Sequence, residues 1–192
     1  MSLKGKRVLV GLTGGIACYK VPYLVRDLHK AGAEIRVIMT KAATRFITPL
    51  TLESVSNHPV AVEMFPENEF VSTRHIDLAD WPDLVIVAPA TANFIGKIAS
   101  GISDDLLTTV ITACRKTLMI APAMNPGMWA HPATRRNVAT LEEYGYRILG
   151  PGEGDMACEH SGLGRMLEPE ELFEAIRTFF RGQKKKPRTV KP

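Results

Sequence analysis

Short apolar runs alternate with longer segments of helical periodicity along most of the chain. The first run, at 6–12, leads through Thr-Gly-Gly into a segment at 16–32 whose apolar residues recur at helical spacing. Further strand-like runs lie at 34–40, 83–89, 117–123 and 146–150. Several of these runs are apolar at nearly every position, which is typical of strands buried on both sides. The alternation predicts an α/β domain with a parallel sheet covered by helices on both faces.

Two stretches interrupt this alternation. Residues 63–80 and 150–167 are polar or glycine-rich, and each is longer than a connection between a strand and a helix needs to be. Long loops inside a compact domain are usually functional or disordered. The second stretch contains Cys158 and His160, so we expect it to serve a function.

The residues that follow the predicted strands are small or carry hydroxyl and amide groups. Ligands of open parallel sheets bind beyond the carboxyl ends of the strands, so these segments should lie together. They are 13–15, Thr40, 89–93 and 122–125. Glycines allow a close approach of the backbone, and helices that begin near Ile16 and Asn93 would offer free N–H groups to a phosphate. A phosphorylated ligand is therefore expected, although Thr-Gly-Gly is equally compatible with a simple tight turn.

The identity of the ligand is narrowed by motifs that the chain lacks. A dinucleotide-binding turn would read G-x-G-x-x-G, with an acidic residue after the second strand, whereas this chain has G-L-T-G-G-I and Thr40. Lys20 is not followed by Ser or Thr, so a Walker loop is absent as well. NAD is disfavoured, and a mononucleotide such as FMN fits the small strand ends better.

Composition adds a boundary near the carboxyl terminus. The chain has 192 residues, with 24 Lys and Arg against 20 Asp and Glu. Five of the basic residues lie in 183–192, which leaves 19 basic against 20 acidic residues in 1–182. We expect 1–182 to form one domain and 183–192 to be a disordered basic tail or a linker. No aromatic residues are interleaved for base stacking, so nucleic acid is not an expected partner.

Other classes of protein are disfavoured by further absences. No apolar run approaches the ~20 residues of a membrane span, so no membrane association and a cytoplasmic location are expected. The three cysteines, Cys18, Cys114 and Cys158, show no C-x-x-C spacing. The sequence therefore predicts neither a disulfide framework nor a metal site.

Five segments together resemble a known family. They are GLTGGIACYK at 11–20, RHIDLAD with His75, PATANFIGKIASGISDDLLT at 89–108, PAMNPGMW at 122–129 and ACEHSGLGRM at 157–166. In this order they resemble the homo-oligomeric flavin-containing cysteine decarboxylases, over about residues 5–180. One departure is Glu159, where the family commonly has glycine. The resemblance implies a single Rossmann-like (flavodoxin-like) domain with a mostly parallel sheet.

The resemblance also implies FMN as cofactor and an activity. The branch most similar to this chain decarboxylates 4′-phospho-N-pantothenoylcysteine to 4′-phosphopantetheine in coenzyme A biosynthesis. There the thiol is oxidised to a thioaldehyde, carbon dioxide leaves, and the enethiol is reduced again. Two alternatives remain open: a peptidyl-cysteine oxidative decarboxylase, which would not need Cys158, and a non-catalytic flavin-binding regulatory subunit. Relatives of the last kind carry long acidic extensions, whereas this chain ends in a short basic one.

Residue roles follow from the same resemblance. His75 and Cys158 would be catalytic, the latter as proton donor to the enethiol, and an imidazole moves protons close to neutral pH. Asn125 would hold the substrate carboxylate, since an amide offers a donor and an acceptor without charge. Met124 and Ala157 would complete the substrate site. The residues expected to line the flavin are Gly14, Gly15, Ile16, Thr40, Thr91, Ala92, Asn93, Phe94 and Ala123.

The resemblance further implies a homo-oligomer, a trimer or a dodecamer, with the flavin between neighbouring subunits. Apolar side chains would then be buried between copies, and the candidates are Phe46, Met64, Phe65 and Trp129. Many bacteria fuse this decarboxylase to phosphopantothenate–cysteine ligase, so a ligase domain is a possible partner. Whether the chain is free-standing or a fragment of such a fusion stays open.

Overall fold

The protein is built around one twisted parallel sheet. In the computed structural model the described residues are 2–66, 73–155 and 161–183. Six strands pair side by side in the order β3-β2-β1-β4-β5-β6, all parallel. This order is that of a doubly wound Rossmann sheet. The first three strands are added toward one edge of the sheet and the last three toward the other, so the strand order changes direction between β1 and β4. The strands are β1 (Arg7–Leu12), β2 (Glu34–Met39), β3 (Val60–Ala61), β4 (Leu84–Ala90), β5 (Thr117–Pro122) and β6 (Arg147–Ile148).

Both faces of the sheet are covered because successive side chains of the central strands point to opposite faces. Val8 and Val10 of β1 belong to one apolar core, and Leu9 between them belongs to the other. The first core contains side chains from α1 (Val21–Lys30), α2 (Pro49–Ser56) and α8 (Pro169–Gln183). The second contains side chains from α3 (Arg74–Asp80), α4 (Ala92–Ala99), α5 (Leu106–Ala113) and α7 (Pro132–Glu143). The predicted fold class is confirmed.

A small hairpin lies outside the main sheet. Its strands, β7 (Gly152–Asp155) and β8 (Ser161–Arg165), pair antiparallel, and β8 contacts the short helix α6 (Pro126–Ala130). The sequence predicted a loop over 150–167, which is wrong for these nine residues. Glycine occupies alternate positions in both strands, so no apolar periodicity marks them.

Two further expectations need correction. The helix expected to start near Ile16 begins as a 3₁₀ segment (Ile16–Lys20), and the α-helix starts at Val21. Pro22 explains the boundary, because proline lacks an N–H and favours the first turn of a helix. The long loop predicted at 63–80 includes α3, which escapes detection because only Leu78 and Ala79 of its seven residues are buried.

The candidate interface residues divide into two groups. Phe46 and Phe65 are exposed, the latter by 84%, whereas Trp129 is only 6% exposed and packs into the second core. Arg135 lies over its ring at 4.8 Å. Trp129 is therefore already almost fully buried within its own chain and offers little surface to a second copy, and Met64 is half-buried against the same core.

Other sequence expectations meet the described part of the chain only in part. Within 2–66, 73–155 and 161–183, no helix has the length and apolarity to cross a membrane. Helix α8 continues through Gln183, the first residue of the expected tail. Residues 184–192 lie outside the described residues.

Thr13 joins β1 to β4, the two neighbouring strands between which the strand order changes direction. Its side chain is 2% exposed. The hydroxyl donates a hydrogen bond to the Pro89 carbonyl at 2.7 Å and accepts one from the Thr91 N–H at 3.0 Å. The backbone N–H of Thr13 donates to the same Pro89 carbonyl at 3.2 Å. One buried hydroxyl thus fixes the end of β1 against the end of β4.

Replacing Thr13 with valine should destabilise the protein more than replacing it with serine. Thr13→Val keeps the branched shape but leaves the buried Thr91 N–H without its acceptor, at a cost of about 1–3 kcal/mol. Thr13→Ser keeps the hydroxyl and loses one methyl group, a smaller loss. Urea unfolding of the flavin-free protein measures both. Equal destabilisation by the two variants would show that the hydroxyl does not join the strands.

Candidate functional site

Two adjoining cavities open at the carboxyl edge of the sheet, where β1 and β4 end. Their volumes are about 560 Å³ and about 480 Å³. Gly14, Thr91 and Met128 line both of them, so the two spaces meet at these residues. The strand order proceeds in opposite directions from β1 and from β4, so the connections that leave these two strands run to opposite faces of the sheet. This divergence leaves the crevice between them.

The first cavity presents hydrogen-bond donors from the ends of β2 and β4. The Thr40 hydroxyl oxygen accepts from the Ala43 N–H at 3.2 Å, which leaves its proton free to be donated. The Thr91 hydroxyl caps α4 by accepting from the Phe94 N–H at 3.4 Å. The N–H groups of the first turn of α4, at Ala92 and Asn93, have no acceptor within the helix. Asn93 lines this cavity, and Ala92 lines the second one. This set of donors suits an anionic ligand group.

The acidic residues that line the same cavity all have partners. Glu63 pairs with Lys41 at 3.2 Å. Asp104 accepts two hydrogen bonds from Lys97, at 2.7 and 2.8 Å, and the bond from Lys97 lowers the pKa of the Asp104 carboxyl. Asp105 caps α5 by accepting from the Thr108 N–H at 2.8 Å. Glu63 and Asp104 are thus each paired with a lysine, whereas the charge of Asp105 faces only the first N–H groups of α5.

The two glycines after β1 differ in what surrounds them. A Cβ atom on Gly14 would lie 2.5 Å from the Ala42 Cβ, so only glycine lets the turn after β1 pack against the turn after β2. A Cβ atom on Gly15 would meet nothing closer than 3.7 Å. Gly14 is thus required by a close contact between two backbone segments. A Cβ atom on Gly15 would make only ordinary van der Waals contacts, so no close contact within the described chain requires glycine there.

The second cavity contains the turn after β5. Asn125 caps α6, and its side-chain oxygen accepts from the Met128 N–H at 2.7 Å. This bond leaves the amide NH₂ of Asn125 available as a donor. The hairpin supports the turn from behind, because the Met124 N–H donates to the Gly164 carbonyl at 3.0 Å. A side chain at position 164 would collide with the Met124 carbonyl.

Three charged side chains line the second cavity. Lys20 is buried, with 8% of its surface exposed, and its Nζ lies 2.7 Å from Oε1 of Glu168. The same Oε1 lies 3.4 Å from Nη2 of Arg165. The other residues that line this cavity carry no charge. The cavity therefore has two cations and one anion among its described residues.

Most of the predicted site residues come together here. Those that line one or both cavities are Gly14, Gly15, Ile16, Thr40, Thr91, Ala92, Asn93, Phe94, Ala123, Met124 and Asn125. His75 lies half-buried on α3 and lines neither cavity. Cys158 and Ala157 fall within 156–160, outside the described residues. Across the part of the chain that is described, no group of His, Cys, Asp and Glu could hold a metal ion.

Sequence reasoning missed four residues of the site. Thr13 was recognisable as the first residue after β1, but its role depends on β4, 76 residues away. Lys20 and Glu168 are separated by 148 residues, and no local pattern connects them or Arg165.

A scan against protein-family models adds an independent observation. The model described as "Flavoprotein" matches residues 1–181, nearly the whole chain. The chain belongs to the flavoprotein family. The predicted family resemblance is confirmed.

Relatives and solved structures agree with this flavoprotein assignment. The chain is 44% identical over 180 residues to the coenzyme A biosynthesis bifunctional protein CoaBC of Haemophilus influenzae, covering 94% of this chain and 45% of that protein. It thus spans less than half the length of this relative. A PPC decarboxylase mutant complexed with pantothenoylaminoethenethiol superposes with a TM-score of 0.82 at 34% identity, covering 92% of this chain and 98% of the other. The FMN-binding protein AtHal3 gives a TM-score of 0.81 at 34% identity, covering 94% and 99%.

Two substitutions of Asn125 test whether its side-chain oxygen caps α6. Asn125→Asp keeps an oxygen that accepts from the Met128 N–H, so the free energy of unfolding should change by less than about 0.5 kcal/mol. Asn125→Ala removes the cap and should cost about 1 kcal/mol. Denaturant unfolding of both flavin-free variants provides the comparison. A destabilised aspartate variant would contradict the capping geometry.

Proposed function

We propose that the chain is the FMN-dependent decarboxylase of 4′-phospho-N-pantothenoylcysteine, forming 4′-phosphopantetheine and carbon dioxide in coenzyme A biosynthesis. The observation that carries this proposal is the pair of joined cavities. One offers uncharged donors for a phosphate-bearing cofactor, and the other presents Asn125 beside it. The similarity to CoaBC proteins and to PPC decarboxylase supports this assignment.

The residues of the first cavity fit FMN. The Thr40 hydroxyl and the first N–H groups of α4 would hold the phosphate, and lysines pair with Glu63 and Asp104, two of the three acidic residues that line this cavity. Gly14 lies where the two cavities meet and Gly15 lines the second one, and neither adds a side chain to the space that a flat ring would occupy. When bound, FMN supplies reversible two-electron oxidation and reduction.

Asn125 orients the substrate beside the cofactor. Its NH₂ group donates to the substrate carboxylate, while its oxygen stays bound to the Met128 N–H and keeps the side chain in one orientation. A neutral donor holds a carboxylate without adding a charge that would oppose its departure as carbon dioxide. Met124 and Ala123 form apolar walls that limit water around the reacting group.

His75 supports a site assembled from two copies of the chain. It is the proposed catalytic histidine, yet it lines neither cavity of its own chain. Phe46 and Phe65 are exposed and offer apolar surface for association. We therefore include in the proposal that the protein is a homo-oligomer, a trimer or a dodecamer, in which His75 moves a proton in the site of a neighbouring copy.

Two further parts of the proposal extend past the described residues. Cys158 would donate a proton to the enethiol in the last step, and Ala157 would contact the substrate. The relatives named bifunctional are more than twice as long as the matched region. We propose that this chain carries the decarboxylase activity, with a ligase domain as a partner.

The direct test of this function is an assay with the purified, FMN-loaded protein. Incubation with 4′-phospho-N-pantothenoylcysteine should release carbon dioxide and form 4′-phosphopantetheine in equal amounts, without net consumption of flavin. A peptide ending in cysteine serves as the competing substrate. Release of carbon dioxide from the peptide alone, or binding of flavin without turnover of either substrate, would refute the assignment.

Mixed oligomers test whether His75 serves a neighbouring copy. His75→Asn and Asn125→Asp should each be inactive alone, because each removes one half of every site. Hetero-oligomers from co-expressed, differently tagged variants should recover about one third of wild-type activity if the protein is a trimer, because each mixed trimer joins two intact halves at one of its three sites. A randomly assembled dodecamer should recover about one quarter. Decarboxylation by the doubly purified hetero-oligomer provides the measurement. A fully inactive hetero-oligomer would place His75 and Asn125 in the site of a single chain.

A further inference from the structure

The charged end of the second cavity has no role in the mechanism above. It consists of Lys20, Arg165 and Glu168, and the rest of the cavity lining is uncharged. The two cations come from distant parts of the chain, the 3₁₀ segment after β1 and the end of β8. Such a group of charges beside a proposed substrate site suits a ligand that carries a negative charge.

The shared carboxylate of Glu168 does not neutralise both cations. Lys20 is buried and lies 2.7 Å from Oε1 of Glu168, so this carboxylate is needed to offset the lysine charge. The contact between Oε1 and Arg165 is longer, at 3.4 Å. Nε of Arg165 is buried and has no hydrogen-bond partner. Lys20, Arg165 and Glu168 together therefore keep one positive charge, which is available to an anionic ligand.

The backbone around Arg165 holds its guanidinium in place. A Cβ atom on Gly154 would lie 3.3 Å from both Cζ and Nε of Arg165, so glycine in β7 makes room for the guanidinium on the facing strand. The preceding residue, Gly164, accepts the hydrogen bond from the Met124 N–H. Arg165 is thus attached to the same turn that positions Asn125. A ligand in this cavity can reach both side chains.

The proposed substrate has two anionic groups, and Asn125 accounts for only one of them. The carboxylate lies next to the reacting thiol, whereas the phosphate lies at the opposite end of the pantothenoyl group. A phosphate monoester carries close to two negative charges at neutral pH and accepts hydrogen bonds on three oxygens. The planar guanidinium of arginine matches this geometry with two parallel N–H donors.

We propose that Arg165 binds the phosphate of the substrate and sets the preference for phosphorylated over dephosphorylated pantothenoylcysteine. This inference rests on the proposed function, because it assigns the second anionic group of the same substrate. Lys20 and Glu168 position Arg165: the lysine holds the carboxylate, and the carboxylate steadies the guanidinium from one side.

The test compares two substrates, phosphorylated and dephosphorylated pantothenoylcysteine. In the wild type, kcat/KM should favour the phosphorylated one. In Arg165→Gln this preference should fall at least about tenfold, which corresponds to about 1.4 kcal/mol. Arg165→Lys should restore part of it, since lysine keeps the charge without the paired donors.

Arg177→Gln is the matched control. Arg177 also forms an ion pair with a glutamate three residues away, Glu174, and its Nε is also buried without a partner, but it lines neither cavity. This variant should keep the wild-type preference between the two substrates. An equal loss of kcat/KM for both substrates in Arg165→Gln would overturn the proposal, because the arginine would then serve the structure and not the phosphate.

A binding measurement separates this proposal from the proposed function. Calorimetry on the flavin-loaded wild type with 4′-phosphopantothenate and with pantothenate, neither of which can be decarboxylated, should show tighter binding of the phosphorylated probe. Equal affinities would overturn the phosphate site even if decarboxylation is confirmed. Absence of decarboxylation with a retained affinity difference would refute the proposed activity and leave the phosphate site supported. The same difference persisting in Arg165→Gln would assign the phosphate to another residue.

Discussion

The bridge that Thr13 makes between β1 and β4 is the interaction on which the site depends. The crevice exists because the strand order proceeds in opposite directions from these two strands, which sends their connections to opposite faces of the sheet. The ladder between β1 and β4 ends at Gly11 and Val87, and the hydroxyl of Thr13 continues the link beyond it with two hydrogen bonds, to Pro89 and from Thr91. It thereby fixes the positions of the turns after β1 and β4 relative to each other, and these turns border both cavities.

The elements that were predicted correctly are those whose buried side chains leave a recognisable mark on the sequence, either an apolar run or a helical period. Strand β4 is buried at all seven positions and stands out as an apolar run. The hairpin of β7 and β8 leaves no such mark, because its glycines serve close contacts, with Arg165 and with Met124, and not a core. Helix α3 was missed for a related reason, since it buries too few side chains to produce a helical period.

Within the site, predictability follows the distance along the chain over which a role is defined. The small residues after β1, β2, β4 and β5 could be identified because parallel strands bring their carboxyl ends to one edge. The cap that Asn125 forms on α6 is likewise local, because it involves only the residues that directly follow it. Lys20 and Glu168 come together only once the carboxyl-terminal helix α8 packs against α1, and no local sequence pattern encodes that contact.

The contact between Gly14 and Ala42 has a consequence for how a ligand is recognised. Because the two turns touch through backbone and Cβ atoms, the wall that they form in the first cavity is shaped by the main chain and not by rotatable side chains. A ligand that binds against this wall loses little binding free energy to ordering the protein. The wall also limits the size of the group that fits. Evolution of a different cofactor specificity would therefore require rebuilding these turns, whereas substrate specificity could drift through single side chains in the neighbouring cavity.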